Sequence, residues 1–144
     1  MSKDPALELL VQLTNRAELE VPIILTLPGQ VIAGTLISGR AFFAEVADEY
    51  QDGVELSPEE DLETYYVVTS MRAFHDNYVE PLPDESDGLP PADQIHLRRV
   101  WTIAPLSERW QPLWRGDLAK VVGWCLGAYA GAPWEGGQAA PSPE

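Results

Sequence analysis

The sequence reads as an α+β protein. It has an N-terminal helix, a small antiparallel sheet of about four or five strands that is either open or closed into a small barrel, and helices inserted at about 40–51 and 58–74. Three observations lead to this class. Apolar residues recur at helical spacing near the N-terminus. Two β-branched runs then flank a Pro-Gly pair. After Ser38-Gly39 the period returns to that of a helix, and it becomes strand-like again only beyond residue 93.

The first helix covers residues 4–17. Asp4 is placed to cap it and Pro5 suits its first turn. Leu7, Leu10, Val11 and Thr14 form a narrow stripe, as expected of a helix lying on a sheet. In VPIILTLPGQVIAGTLIS (21–38), Pro28-Gly29 is a turn pair, because proline presets φ and glycine accepts positive φ. A hairpin of Val21–Leu27 with Gln30–Ile37 follows, with Pro22 confined to a strand start or edge. Gly34, inside the second strand, marks a bend or a close backbone approach.

Phe42, Phe43, Val46, Ala47 and Tyr50 place one aromatic face on a short helix at 40–51, ended by Gly53. Ser57-Pro58-Glu59-Glu60 has the form of a capping box for a helix over 58–74, although the β-branched cluster at 65–69 favours strand. YVEPLPDESDGLPPAD (78–93) reads as a mobile, acidic, proline-rich loop. QIHLRRVWTI (94–103) is a strand. Simple alternation puts Ile95, Leu97, Trp101 and Ile103 on one side and His96, Arg98, Val100 and Thr102 on the other, with Arg99 interrupting the apolar row. Residues 104–112 read as a loop. Arg115-Gly116-Asp117 reads as a tight turn into a last strand from Leu118 to Leu126. In that strand Trp124 fills one face, and Gly123 and Cys125 leave clearance on the other. Residues 1–128 are thus expected to form a single domain, followed by a disordered Gly/Pro/Ala/Ser tail at 129–144.

The chain has 144 residues, of which 45% are apolar, enough for a core. Its formal net charge is −14. Residues 45–93 hold fifteen acids against one base, Arg72. This charge reads either as a solvated surface or as a docking face for a basic partner, and it disfavours nucleic acid and anionic membrane. No apolar run is long enough for a membrane span. The N-terminus lacks the pattern of a secretory signal, and a single cysteine allows no internal disulfide. A cytoplasmic protein is the simplest reading.

Catalytic signals are weak. Cys125 lies mid-strand and reads as a buried, inert thiol. His75 and His96 have no partner at metal-ligand spacing, and DESDG (84–88) lacks the closing glutamate of a calcium loop. No phosphate-binding glycine motif occurs. The expectation is a protein that is not an enzyme and has no catalytic, cofactor or metal site. Its candidate interaction residues are Glu45, Asp48, Glu49, Glu59, Glu60, Asp61, Glu63, Asp84, Glu85, Asp87 and the aromatic Trp134. Gly34, Gly116, Trp114 and Trp124 are candidate structural residues.

Three ordered segments carry a family likeness: VIAGTLISGRAFFAEV (31–46), IHLRR (95–99) and LWRGDLAKVVGWCLG (113–127). Together they resemble the gas vesicle accessory protein GvpU family over about residues 5–128. Members of that family show a Gly-Thr strand end running into an aromatic helix, an Ile-His-Leu strand, then Trp-Arg-Gly and a Gly-aromatic-x-Leu-Gly close. Here these correspond to Ile32–Ser38, Ile95–Leu97, Trp114–Ala119 and Gly123–Gly127. The acidic insert at 78–93 and the proline-rich tail depart from the pattern. The resemblance implies a cytoplasmic, non-enzymatic accessory protein of gas vesicles. Such a protein acts in assembly or clustering, by binding a shell protein or a basic segment of another gas vesicle protein, or by self-association as a homo-oligomer. The alternative is an acidic inhibitor-like, immunity-type protein that binds a basic partner. The Gly34 bend and the Arg-Gly turn also resemble Sm/SH3-like small barrels, a likeness of fold alone.

Overall fold

Helix α1 (Pro5–Ala17) leads into a hairpin of β1 (Val21–Leu27) and β2 (Gln30–Ile37) in the computed structural model, which describes residues 2–53, 61–77 and 91–128. Helices α2 (Gly39–Asp52) and α3 (Leu62–Asn77) follow, then β3 (Gln94–Ala104), β4 (Leu106–Asp117), a short 3-10 turn at Leu118–Lys120, and β5 (Gly123–Leu126). The five strands form one antiparallel sheet in the order β4-β3-β2-β1-β5. The proposed capping box at 57–60, residues 78–90 of the acidic loop, and the tail from 129 lie outside the described residues.

Local chemistry explains the helix ends. The Asp4 carboxylate accepts from the backbone N–H of Ala6 (2.8 Å) and of Leu7 (3.0 Å), satisfying two orphan donors of α1. The Ser38 hydroxyl accepts from Ala41 N–H (2.9 Å) at the start of α2 and donates to Glu18 (2.6 Å). Helix α3 begins at Leu62. Its cap is Asp61, which accepts from the Thr64 N–H (3.1 Å) and hydroxyl (2.7 Å).

The two sheet faces carry different helices. On one face α1 seats Leu7 and Val11 against Ile23, Leu25, Ile32, Leu36, Ile95 and Leu97. On the other, α2 and α3 pack Phe42, Phe43 and Met71 around Ile37 and Leu113. Period-2 alternation makes this division: Leu36 and Ile37 are consecutive yet belong to different clusters.

Four features differ from the sequence reading. First, β3 does not alternate throughout. Arg99 (φ 55°) and Val100 together oppose Gly34, forming a β-bulge. The extra residue turns Val100 inward beside Leu97, and Trp101 falls on the face of Arg98, exchanging the sides that simple alternation assigns. A Cβ on Gly34 would lie 3.2 Å from the Arg98 carbonyl oxygen and 3.2 Å from Val100 Cγ2, so the bulge approaches β2 where there is no side chain.

Second, residues 106–112 are strand, not loop. The β3–β4 hairpin turns at Ala104-Pro105 and β4 continues to Asp117. Proline signals mislead here because β4 is an outer strand, where Pro112 removes no donor that the ladder needs.

Third, Arg115-Gly116-Asp117 is the end of β4, paired with His96, Ile95 and Gln94, rather than a turn. The final strand is correspondingly short. Leu118 and Val121 are buried, while Val122 and Leu126 are exposed.

Fourth, the sheet is open. Among the described residues β4 pairs with β3 and β5 with β1, but the two outer strands do not pair with each other. Residues Leu118–Val122 nevertheless carry the chain from one sheet edge to the other. Five strands laid flat would separate their outer members by about 19 Å, but three of the five linking residues coil in the 3-10 turn at about 2 Å each, so the link reaches only about 16 Å and the sheet must curl. Leu118 and Val121 of that link are buried in the α1-side core.

Candidate functional site

The face of the sheet that carries α2 gathers charged side chains from α2, α3 and β3. Residues three and four apart on a helix share one side, which brings Glu45, Asp48 and Glu49 of α2 together. Opposite them the β3 bulge presents Arg98 and Arg99, and β4 supplies Trp110, Pro112 and Leu113. Together with Glu45 and Glu49 these β3 and β4 residues line a cleft of about 310 Å³.

The acids of this group are not equivalent. The Arg98 guanidinium donates to Glu45 Oε2 through Nε (3.2 Å) and Nη2, and to Glu20 through Nη1. Asp48 pairs with Arg72 of α3 at 3.1 Å, which ties the two helices together. Glu49 is exposed at the cleft wall. Asp61 serves the α3 N-terminus, and its hydrogen bonds from the Thr64 side chain and backbone hold its carboxyl below the usual carboxylate range. Glu63 lies exposed in the first turn of α3. Glu59, Glu60, Asp84, Glu85, Asp87 and Trp134 lie outside the described residues. Among the described residues, Glu45 and Asp48 are thus neutralised by Arg98 and Arg72, and the cleft wall carries mixed charge.

Sequence reasoning did not pick out Arg98, Arg99 and Trp110. The available signal was the Arg98-Arg99 doublet in a strand that is otherwise apolar; it marked an interruption, and the bulge that aims it is set by Gly34 on the neighbouring strand.

Phe42, Phe43 and His96 form an aromatic layer on the same face of the sheet. His96 is fully buried, with its ring 4.9 Å from Phe42 and 5.9 Å from Phe43. Arg115 Nε donates to His96 Nε2 at 3.1 Å, and the guanidinium lies over the Phe43 ring at 5.5 Å. Burial, with the Arg115 charge adding to it, pushes the imidazole down to about 3, so His96 is a neutral hydrogen-bond acceptor. It is a packing residue of the core.

Cys125 departs from the sequence reading. It is exposed, not buried. Its neighbour Trp124 packs on the core and donates from Nε1 to Asp4 Oδ2 (3.3 Å). The next residue on a strand points the opposite way, and among the described residues nothing covers it on this outer strand.

Among the described residues no three His, Cys, Asp or Glu side chains form a group able to hold a metal ion, and no helix is long and apolar enough to cross a membrane. The cleft offers ion pairing and an aromatic contact, which is the chemistry of recognition.

Searches of the curated proteins and of the solved structures return no match. Residues 4–129 match the family described as gas vesicle protein GvpU-like, a span that takes in every strand and helix of the described residues. The chain thus belongs to the GvpU-like family of gas vesicle proteins.

Proposed function

We propose that this protein is a non-enzymatic, cytoplasmic accessory of gas vesicles that acts in their assembly or clustering by binding a basic segment of a shell component or of another gas vesicle protein. Family membership over residues 4–129 carries the reading. The net charge of −14 supports it, because a protein so charged stays soluble beside an apolar shell and is steered toward cationic segments. The exposed Glu49 and the Trp110-lined cleft are the contact points we assign to this binding. Arg98 and Arg99 at the same cleft restrict the partner to one whose charges interleave, rather than to any polycation.

Purified gas vesicles float, so the test is co-flotation with the purified protein. The protein is expected to rise with vesicles at low ionic strength and to be released as salt is raised toward about 1 M, where the Debye length falls to about 3 Å. Charge reversal by Glu49→Lys should weaken co-flotation. Absence of binding at low ionic strength would overturn the proposal.

A further inference from the structure

Helix α3 is apolar on two sides. Its inner side buries Thr64 and Val68 and turns Met71 toward Phe43 and Ile37. That is the one stripe a helix packed on its own fold requires. A second stripe runs along the outer side. Leu62 is 64% exposed, Tyr65 48% and Tyr66 60%, and the line continues through exposed Thr69 and Ala73 at the same three- and four-residue spacing. An exposed apolar patch with a polar rim marks a partner site.

The rim decides the partner. Asp61, Glu63 and Asp76 border the stripe, and Arg72, the only lysine or arginine of α3, is already paired with Asp48. A second copy of the chain would bring acid against acid at −14 apiece. Anionic lipid and nucleic acid meet the same repulsion.

We infer that the outer face of α3 docks an amphipathic helix of a gas vesicle protein whose apolar stripe is flanked by lysine or arginine. Leu62 and Tyr66 pack into the grooves of that helix, while Glu63 and Asp76 pair with its flanking cations. This deepens the proposed function and rests on the same basic-partner reading, but it assigns a surface distinct from the α2 cleft.

The probe is a synthetic helical peptide of about 18 residues, with leucine at heptad spacing and lysine on its flanks. A scrambled peptide of identical composition keeps the charge and loses the stripe. Binding to the full chain is read by fluorescence anisotropy of the labelled peptide. The striped peptide is expected to bind on the order of tenfold or more tightly than the scrambled one, and Leu62→Ser or Tyr66→Ser to remove that preference. Both side chains are largely exposed, so these variants should keep the parent circular dichroism and urea midpoint. Equal binding of the two peptides, or a preference that survives both variants, overturns the inference and leaves charge-driven co-flotation standing. A dimer of the parent chain that Tyr66→Ser dissociates, seen by sedimentation equilibrium, also overturns it, because the stripe then serves a second copy. Striped binding without any vesicle co-flotation overturns the proposed function instead.

Discussion

The Trp114 indole lies across Gly116, two residues along on the same face of β4. A Cβ at Gly116 would come within 2.3 Å of Trp114 Cη2 and 2.7 Å of Cζ2. Trp114 itself packs against the α1-side core, opposite Leu97. Gly116→Ala must therefore push a large aromatic off its seat. The expected loss of stability is about 2 kcal/mol, in the range for overpacking. Urea denaturation measures it, and in a Trp114→Ala background the same change should cost far less, because no indole remains to be displaced.

His96 sets a pH dependence. Folded, it stays neutral down to about pH 3, because it is buried and beside Arg115. Unfolded, it takes up a proton below about pH 6.5. The unfolded state then holds more protons, so stability falls as pH drops below about 6.5, with a limiting slope of about 1.4 kcal/mol per pH unit. Asp4, Glu8 and Asp61, whose carboxyls are held low by hydrogen bonds, lose their contribution only around and below their unfolded values near 4. The interval between about pH 6.5 and 5 consequently reports His96. His96→Gln should flatten the stability profile there, whatever it does to stability at neutral pH; an unchanged slope would remove the assignment.

Arg98 stands between Glu20 and Glu45. Arg98→Met leaves two carboxylates facing each other without a cation. Both are partly hydrated, so the expected cost is only about 1 kcal/mol. A double-mutant cycle with Glu45→Gln should show coupling of about 0.5–1 kcal/mol that shrinks in concentrated salt. Zero coupling at low salt would mean that the pair does nothing for stability.

Cys125 should react as an open thiol. A colorimetric disulfide reagent is expected to titrate one thiol in the native protein at a rate close to that in denaturant. Cys125→Ser should change stability by no more than about 0.5 kcal/mol. Protection of the thiol until unfolding would contradict the exposed position.

Much of the backbone plan is legible in residue order. Asp4-Pro5 and Ser38 announce helix starts, and Pro28-Gly29 (φ 82° at the glycine) sets the β1–β2 register from Val21↔Leu36 to Leu27↔Gln30. These are local effects, decided by groups within a few residues of one another, and so are the family segments that lie on them. The candidate site is less legible. Glu45, Asp48 and Glu49 stand out as charges, yet nothing local announces that Arg98 and Arg72 come back to meet two of them.

The chain order alone determined the helix–hairpin–helix–sheet plan, the acidic character and the family. Tertiary structure decided which residues face which way. The Arg99 bulge depends on Gly34 in another strand, the fate of Pro112 on β4 being outermost, and the exposure of Cys125 on what fails to pack over β5. Each is a contact or a vacancy between segments far apart in sequence, and side-chain periodicity, which sees only neighbours, carries no information about it.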